Sequence, residues 1–365
     1  MAQLSSAELD AWLVLNASGV TPHVQIALVE ALGSAEAVLA ATEAQMRAVE
    51  GFRPAQLPRL RAALAGVDLA DIWRKCREHA VVPLPFTAPE YPALLRHCDD
   101  RPALLFVQGA FDQRDELAVA IVGTRKCSPY GMTMARRLAG DLARRGFTIV
   151  SGLAVGVDAE AHRAALEAGG RTVAVMASGP DITYPAGHRA LREQVSHSGA
   201  AITEFAFGCE PLRERFPARN RIISGLSLGV VVVEAPVKSG ALITARLGAE
   251  QGREVFAVPG DVTRPESRGS HALIKDGARL VEFAEDVVEG LDILLQAVPE
   301  RAPVDTSDLP VEERAIVEAL SHQPRHVDEI VERASLTASK VTAGLMLLEM
   351  KGIVRRLPGS TFVRL

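Results

Sequence analysis

The chain has no C-x-x-C pair: Cys76, Cys98, Cys127 and Cys209 are its four cysteines, and they are widely spaced. That excludes a zinc knuckle, lends no support to a disulfide framework, and makes a reducing compartment the simplest home. No apolar run approaches the roughly 18 residues a membrane span needs. The start, MAQLSSAELDAW, lacks a basic segment followed by an apolar one, so no signal peptide is expected. These absences predict a cytoplasmic protein without membrane contact. Excess charge of one sign is missing as well, since 40 Lys+Arg against 45 Asp+Glu leave a formal net charge of −5. A partner held by the field of the whole surface is therefore excluded, and a polyanion would have to be met by a local patch. Neither Gly123 nor Gly152 heads a G-x-G-x-x-G, and no G-x-x-x-x-G-K-[ST] occurs. A dinucleotide dehydrogenase and a P-loop ATPase both lose their fingerprint.

What is present is a globular composition, 48% hydrophobic with 23% charged residues, in 365 residues. Such a length predicts two to three domains. The most informative stretch is VVVVEAPVKSGALITARLGAEQGREVFAVPG, residues 230–260. The apolar run Val230–Val233 ends in Glu234, and a turn follows with Lys238, Ser239 and Gly240. The helical segment Ala241–Gly252 comes next, and then the second apolar run Val255–Val258. A small-residue turn with a cation at a helix N-terminus is a natural seat for phosphate, because unpaired N–H groups and the helix dipole both favour an anion there.

Residues 1–78 are Ala- and Leu-rich with helical periodicity, which predicts three or four small helices. The turn Ala17-Ser18-Gly19-Val20 would suit a helix-hairpin-helix, but one Gly turn is a weak motif, and a small helical bundle packed on its neighbour is the preferred reading. Pro83, Pro85, Pro89, Pro92 and Pro102 punctuate the approach to the main domain, residues 79–298. There strands Leu117–Val122, Thr148–Val150, Thr172–Met176 and Ala201–Thr203 alternate with helices Tyr130–Arg145, Val157–Ala168, Arg189–Ser198 and Ala218–Leu226. This alternation predicts an α/β fold, a mostly parallel, Rossmann-like sheet covered on both faces. Residues 299–310, PERAPVDTSDLP, read as a linker. In 311–365, helices Glu312–Ser321, Val327–Ala334 and Thr337–Lys351 and a hairpin around Pro358-Gly359-Ser360 predict a winged helix. Its third helix offers Ser339, Lys340 and Thr342 beside Glu349, so duplex DNA and a protein are both open as its partner.

Ligands of open parallel sheets lie outside the carboxyl ends of the strands. Three strands end there in small-residue turns: Gly123-Thr124-Arg125-Lys126-Cys127-Ser128, Ser151-Gly152-Leu153-Ala154-Val155-Gly156, and Lys238-Ser239-Gly240. Pro217-Ala218-Arg219-Asn220-Arg221 opens a further helix with two guanidinium groups. Together these turns predict an anionic-ligand groove. Tyr184, Phe205, Phe207 and Phe216 are the candidate stacking surfaces a single strand needs, although core packing is the ordinary fate of such rings. Asp158 and His162 lie one helical turn apart. Without further ligands they read as a helix-start carboxylate and a packed histidine rather than a metal site.

Val122-Gly123-Thr124-Arg125, Ser151-Gly152-Leu153-Ala154 with Gly156, Asp158, Ala161 and His162, Phe216-Pro217-x-Arg219-Asn220-Arg221-Ile222-Ile223, and Lys238-Ser239-Gly240-x-Leu242-Ile243-Thr244-Ala245 closely resemble the DprA (Smf) family over roughly residues 80–290. The helical start and the winged helix are similar to accessory modules of that family. The resemblance implies an extended Rossmann fold that binds single-stranded DNA, acts as a homodimer, and loads the RecA recombinase in natural transformation. It implies no cofactor and no catalytic residue. On this chain the single-strand site would comprise Gly123, Arg125, Lys126 and Ser128, Ser151 and Gly152, Arg219, Asn220 and Arg221, and Lys238, Ser239 and Gly240. Where the family shows Gly-Ser/Cys-Asn before Leu-Ile, this chain has Gly269-Ser270-His271-Ala272-Leu273-Ile274, which replaces an amide by an imidazole. The alternative function is a nucleotide-hydrolysing enzyme resembling the lysine-decarboxylase-like LOG proteins, whose motif is P-G-G-x-G-T-x-x-E. Laying Ser239-Gly240 on its glycines puts Arg246 at the acid, and a cation cannot act as that carboxylate.

Overall fold

The computed structural model describes residues 4–295, 309–320, 325–334, 336–351, 353–357 and 361–364. The chain forms two compact units, Met1–Ile293 and Leu294–Leu365. Most of the expected linker, 299–308, and the hairpin turn 358–360 lie outside the described residues.

The first unit opens with six helices: α1 (Ser6–Ala17), α2 (Pro22–Leu32), α3 (Ala35–Ala40), α4 (Glu43–Arg47), α5 (Leu57–Gly66) and α6 (Leu69–Glu78). Side-chain caps by Ser5, Ser34, Thr42 and Asp68 start four of them. That is more helices than the three or four predicted, because these short turns carry caps rather than long periodicity. They do not build a core of their own. Trp12 is fully buried and meets Phe86 edge-on at 5.6 Å, within one apolar cluster that runs on to Leu105 and Val230. Gln25 donates to Leu15 O (3.1 Å) and Val20 O (2.7 Å), which fixes the α1–α2 turn from inside.

The α/β part runs β1 (Val81–Pro85), α7 (Ala93–Arg96), β2 (Leu104–Gly109), β3 (Ala118–Val122), α8 (Pro129–Arg144), β4 (Thr148–Ser151), α9 (Val157–Glu167), β5 (Thr172–Val175), α10 (Arg189–Ser198), β6 (Ala200–Thr203), α11 (Arg215–Gly225), β7 (Gly229–Val232), α12 (Gly240–Glu250), β8 (Glu254–Ala257), α13 (Arg268–Lys275), β9 (Arg279–Leu280) and α14 (Ala284–Leu295). All nine strands join one sheet in the order β1-β2-β6-β5-β4-β3-β7-β8-β9. The pairs β1–β2 and β2–β6 are antiparallel and the rest parallel. Every residue of β3, β4, β5, β6 and β7 is buried, as strands covered on both faces must be. From β3 the chain winds outward through β4, β5 and β6, then returns to the other side of β3 for β7, β8 and β9. The switch point therefore falls between β3 and β7, whose ends are in register with Val122 opposite Val232.

The second unit packs α15 (Val311–Ala319), α16 (Val327–Ala334) and α17 (Ala338–Met350) with strands β10 (Arg325–His326), β11 (Val354–Leu357) and β12 (Thr361–Arg364) in the order β10-β12-β11. Ile316, Ile330, Val341, Leu345 and Leu348 form its core. This is the winged-helix arrangement predicted.

Candidate nucleic-acid interface

Parallel pairing puts the β3–α8, β4–α9 and β7–α12 connections on one edge of the sheet, and the first and last of these flank the switch point. The backbones approach closely. Thr124 N donates to Glu234 O (2.7 Å), and a Cβ at Gly123 would lie 2.5 Å from a Val157 methyl and 3.0 Å from Glu234 O. Between the loops opens a cavity of about 270 Å³. Gly123, Arg125, Arg219, Asn220, Lys238, Ser239 and Gly240 line it together with Thr124, Asp158, Phe216 and Pro236. Seven of the expected site residues thus converge. Lys126, Ser128, Ser151, Gly152 and Arg221 do not line this cavity.

The reasons differ residue by residue. Ser128 caps α8, accepting from Gly131 N (3.1 Å), while its own N–H and hydroxyl donate to the buried Glu234 carboxylate at 2.8 Å each. Ser151 is buried and donates to Ile121 O (2.7 Å). Gly152 is required by its neighbour, since a Cβ there would sit 2.5 Å from the Arg219 guanidinium. Arg221 is held on Glu204 by two hydrogen bonds (2.9 and 2.6 Å), with Asp100 3.7 Å away. Burial pushes the Glu204 carboxyl up, and Arg221 works against that shift. Lys126 is exposed beside the cavity, its N–H on the Thr124 hydroxyl at 3.2 Å.

Arg219 lines the cavity, but its donors face inward, to Gly152 O (2.7 Å), Val175 O and Asn220 Oδ1 (3.2 Å). Burial lowers its pKa to about 10, with the Asp158 charge opposing. The two guanidinium groups that the sequence placed at the start of a helix are therefore both engaged inside the protein, and α11 begins earlier, at Arg215. Asn220 Nδ2 reaches Gly240 O (3.2 Å), tying α11 to the start of α12.

Of the helix N-termini at these three connections, the protein itself fills two. Glu234 lies at that of α8, accepting from the N-cap Ser128. That of α9 is met by backbone carbonyls, Val157 N donating to Thr124 O (3.4 Å) and Ala159 N to Ala154 O (3.1 Å), while Asp158 ties down the preceding loop, accepting from Gly152 N (3.2 Å) and Ala154 N (3.4 Å). Burial pushes the Asp158 carboxyl up, while Arg219 and those amides pull it down. At α12 only the Ser239 hydroxyl caps, accepting from Ala241 N (3.3 Å), and nothing lies within 4 Å of where a Gly240 Cβ would be. An outside anion thus finds its open helix terminus at α12, next to the exposed Lys238. The role of Glu234 was not legible in the sequence, because its partner Ser128 is 106 residues away.

The aromatic candidates also separate. Phe207 packs on buried Phe106 at 5.5 Å and belongs to the core. Phe205 lies under Arg215 (5.3 Å). Phe216 lines the cavity with the Arg125 guanidinium stacked 4.6 Å from its centre, and the half-exposed Tyr184 meets it edge-on at 5.7 Å. Arg125, Phe216 and Tyr184 thus form a continuous row of flat surfaces beside the cations. His162 is fully buried: Thr172 Oγ1 donates to Ile149 O (2.7 Å), so His162 Nδ1 carries the proton it gives to Thr172 (2.6 Å), and Nε2 has no partner. Burial lowers its pKa to about 3. Among the described residues no group of three His, Cys, Asp or Glu could hold a metal ion. His271 turns to Gly260, whose N–H lies 3.2 Å and O 3.1 Å from Nε2. No described helix is long and apolar enough to cross a membrane.

On α17, Lys340 is paired with Glu312 (2.8 Å), and Lys351, just beyond the helix, with Glu313 (2.6 Å). Met346 and Leu347 are exposed on the same helix, 69% and 48% accessible. Lys340, the cation the sequence offered for a duplex, is thus already matched by an acid of its own unit.

A model of the family described as DNA recombination-mediator protein A matches residues 83–292, and one for the DprA winged helix domain matches residues 300–360. The Protein Smf of Escherichia coli (strain K12) is 39% identical over 306 residues, covering 82% of this chain and 81% of that protein. The X-ray structure of DNA processing protein A from Streptococcus pneumoniae superposes with a TM-score of 0.70 at 33% identity, covering 79% of this chain and 98% of that one. A structure of DNA processing protein A from Helicobacter pylori, described for its single-stranded DNA binding mode, gives a TM-score of 0.52 at 29% identity, covering 60% and 97%.

Proposed function

From the premise that this chain belongs to the DNA recombination-mediator protein A family, we propose that it is a binding protein that holds single-stranded DNA at the β3/β7 switch point and loads the RecA recombinase onto it as a homodimer in the cytoplasm. The observation that carries this reading is the combination at one cavity of the exposed cations Arg125 and Lys238, the open α12 terminus, and the row Arg125–Phe216–Tyr184. Backbone-tracking charge with stacking surfaces is what a single strand needs and a duplex does not. The likeness to a protein studied for its single-strand binding supports the same conclusion. Binding rather than turnover is favoured because Asp158, the carboxylate lining the cavity, is spent on two backbone amides, and Arg246 is exposed beside Glu250 at 3.5 Å. We place the groove wholly in residues 79–298, with 1–78 as its helical support and 311–365 as a separate docking module. The test is a gel-shift titration of oligo-dT against duplex of equal length, followed by RecA nucleation on the single strand with and without the protein. Equal affinity for strand and duplex defeats the single-strand reading; unchanged nucleation defeats the loading role alone.

A further inference from the structure

A second cavity, of about 570 Å³, opens at Glu234. It falls within the roughly 300–1,000 Å³ of small-molecule clefts. The same two connections wall it, β3–α8 through Ser128, Pro129 and Tyr130 and β7–α12 through Glu234. The segment after β8 closes it with Pro259, Gly260, Asp261, Arg264 and Ser267. The two cavities are thus built on the same pair of connections.

Its chemistry is the reverse of the first. One wall is flat and apolar: Pro129, Pro259 and the Tyr130 ring, which is 45% exposed while its hydroxyl is pinned to Pro259 O (2.7 Å). Glu234 and Asp261 supply its carboxylate acceptors, beside the Ser128 and Ser267 hydroxyls. Glu234 is 3% exposed and held by Ser128 at 2.8 Å on each oxygen, which leaves further lone pairs on both. Asp261 Oδ1 accepts from Thr263 N (2.9 Å) and Thr263 Oγ1 (2.7 Å), and its Oδ2 lies 4.0 Å from Arg264 Nε, beyond a hydrogen bond. Two carboxylates against the single cation Arg264 leave the wall net negative, which disfavours a phosphate, and with only two acids the described residues form no metal cluster here. A flat, neutral, donor-bearing group fits instead. Carboxylates accept from the exocyclic amino group of cytosine, whereas thymine offers a carbonyl oxygen at that position.

We propose that this cavity takes one amino-bearing nucleobase, cytosine in the first place, from the strand whose phosphates lie at Arg125 and Lys238, with Tyr130 as the stacking face and Asp261 and Glu234 as acceptors for the amino group. The inference rests on the single-strand reading above and adds a base preference to it. The test compares oligo-dC with oligo-dT of equal length at neutral pH by fluorescence anisotropy, on the full chain and on Asp261→Ala, Tyr130→Leu and Tyr130→Phe. The full chain should prefer oligo-dC roughly three- to tenfold, the range of an ordinary net hydrogen bond. Asp261→Ala and Tyr130→Leu should bring the preference to near unity while oligo-dT affinity holds, which also shows that the variants are folded. Tyr130→Phe keeps the ring and should keep the preference. Oligo-dT bound as tightly as oligo-dC by the full chain, or a preference that survives both Asp261→Ala and Tyr130→Leu, overturns the base pocket and leaves the groove standing. Binding of neither oligonucleotide overturns both.

Discussion

Reversing one charge at the switch point should cost most of the single-strand affinity. Arg125 and Lys238 are exposed on the two connections that flank the β3/β7 gap. A unit charge about 4 Å from a phosphate is worth about 1 kcal/mol at the dielectric of water and about 4 kcal/mol near a protein surface, with ionic screening favouring the lower figure. Lys238→Glu removes that attraction and adds a comparable repulsion, so about 2 kcal/mol is the floor, which is more than tenfold in Kd. Lys238→Gln should lose about half that energy and flatten the log–log salt dependence by about 0.7, the contribution of one neutralised single-strand phosphate. Arg125→Lys separates the two functions of that residue: the charge and the salt slope stay, but the plane stacked 4.6 Å from the Phe216 centre is lost and affinity falls. The assay is anisotropy of labelled oligo-dT across a salt series, with circular dichroism to confirm the fold. Arg125→Glu and Lys238→Glu both binding within about threefold of wild type, with unchanged slopes, would refute the placement of the strand.

A chain truncated after Val298 should keep its oligo-dT isotherm, because the groove residues all precede that point; loss of binding on truncation would put the site in the wrong unit. Gly152→Ala should destabilise by about 1–3 kcal/mol, read as a lower Tm, because the new methyl meets a guanidinium already fixed by Gly152 O and Val175 O; an unchanged Tm would show that Arg219 can move aside. His162 fixes a pH dependence. Its folded pKa, about 3, lies below its ordinary 6.5, so the unfolded chain takes up a proton that the folded one refuses, and stability falls as pH drops from about 6.5 towards 3. Asp158 acts in the opposite direction, since its raised pKa lets the folded state take up protons. The difference between wild type and His162→Gln isolates the histidine: the Tm loss between pH 7 and pH 4.5 should be smaller in the variant, and equal losses would contradict the neutral buried imidazole.

The βα alternation was legible because buried parallel strands read as unbroken apolar runs, so β3, β4, β5 and β7 fall within a residue or two of where their valines and isoleucines place them. The strands β1 and β2 were not, since Pro83 and Pro85 read as punctuation. In the fold β1 is an edge strand paired only with β2, where a missing N–H is tolerated. Likewise α11 starts at Arg215 because Pro217 falls in its first turn, where proline breaks nothing. The site divides along the same line. Loop position and residue type are local, so the exposed cations Arg125 and Lys238 could be found from the turns that carry them. Commitment to a partner is not local. Arg221 is spent on Glu204, 17 residues away, Arg219 on carbonyls 44 and 67 residues away, and the α8 terminus on Glu234 across 106 residues. Counting basic residues along the motifs therefore overstates the field at this edge. What an incoming strand meets is the remainder after internal pairing: the exposed Arg125, Lys126 and Lys238 and one open helix terminus, against Asp158 held by two amides and Glu234 held by Ser128. That remainder is small enough for the groove to hold single strands in a protein whose formal charge is −5, and it makes each remaining cation matter more than its share of the composition suggests.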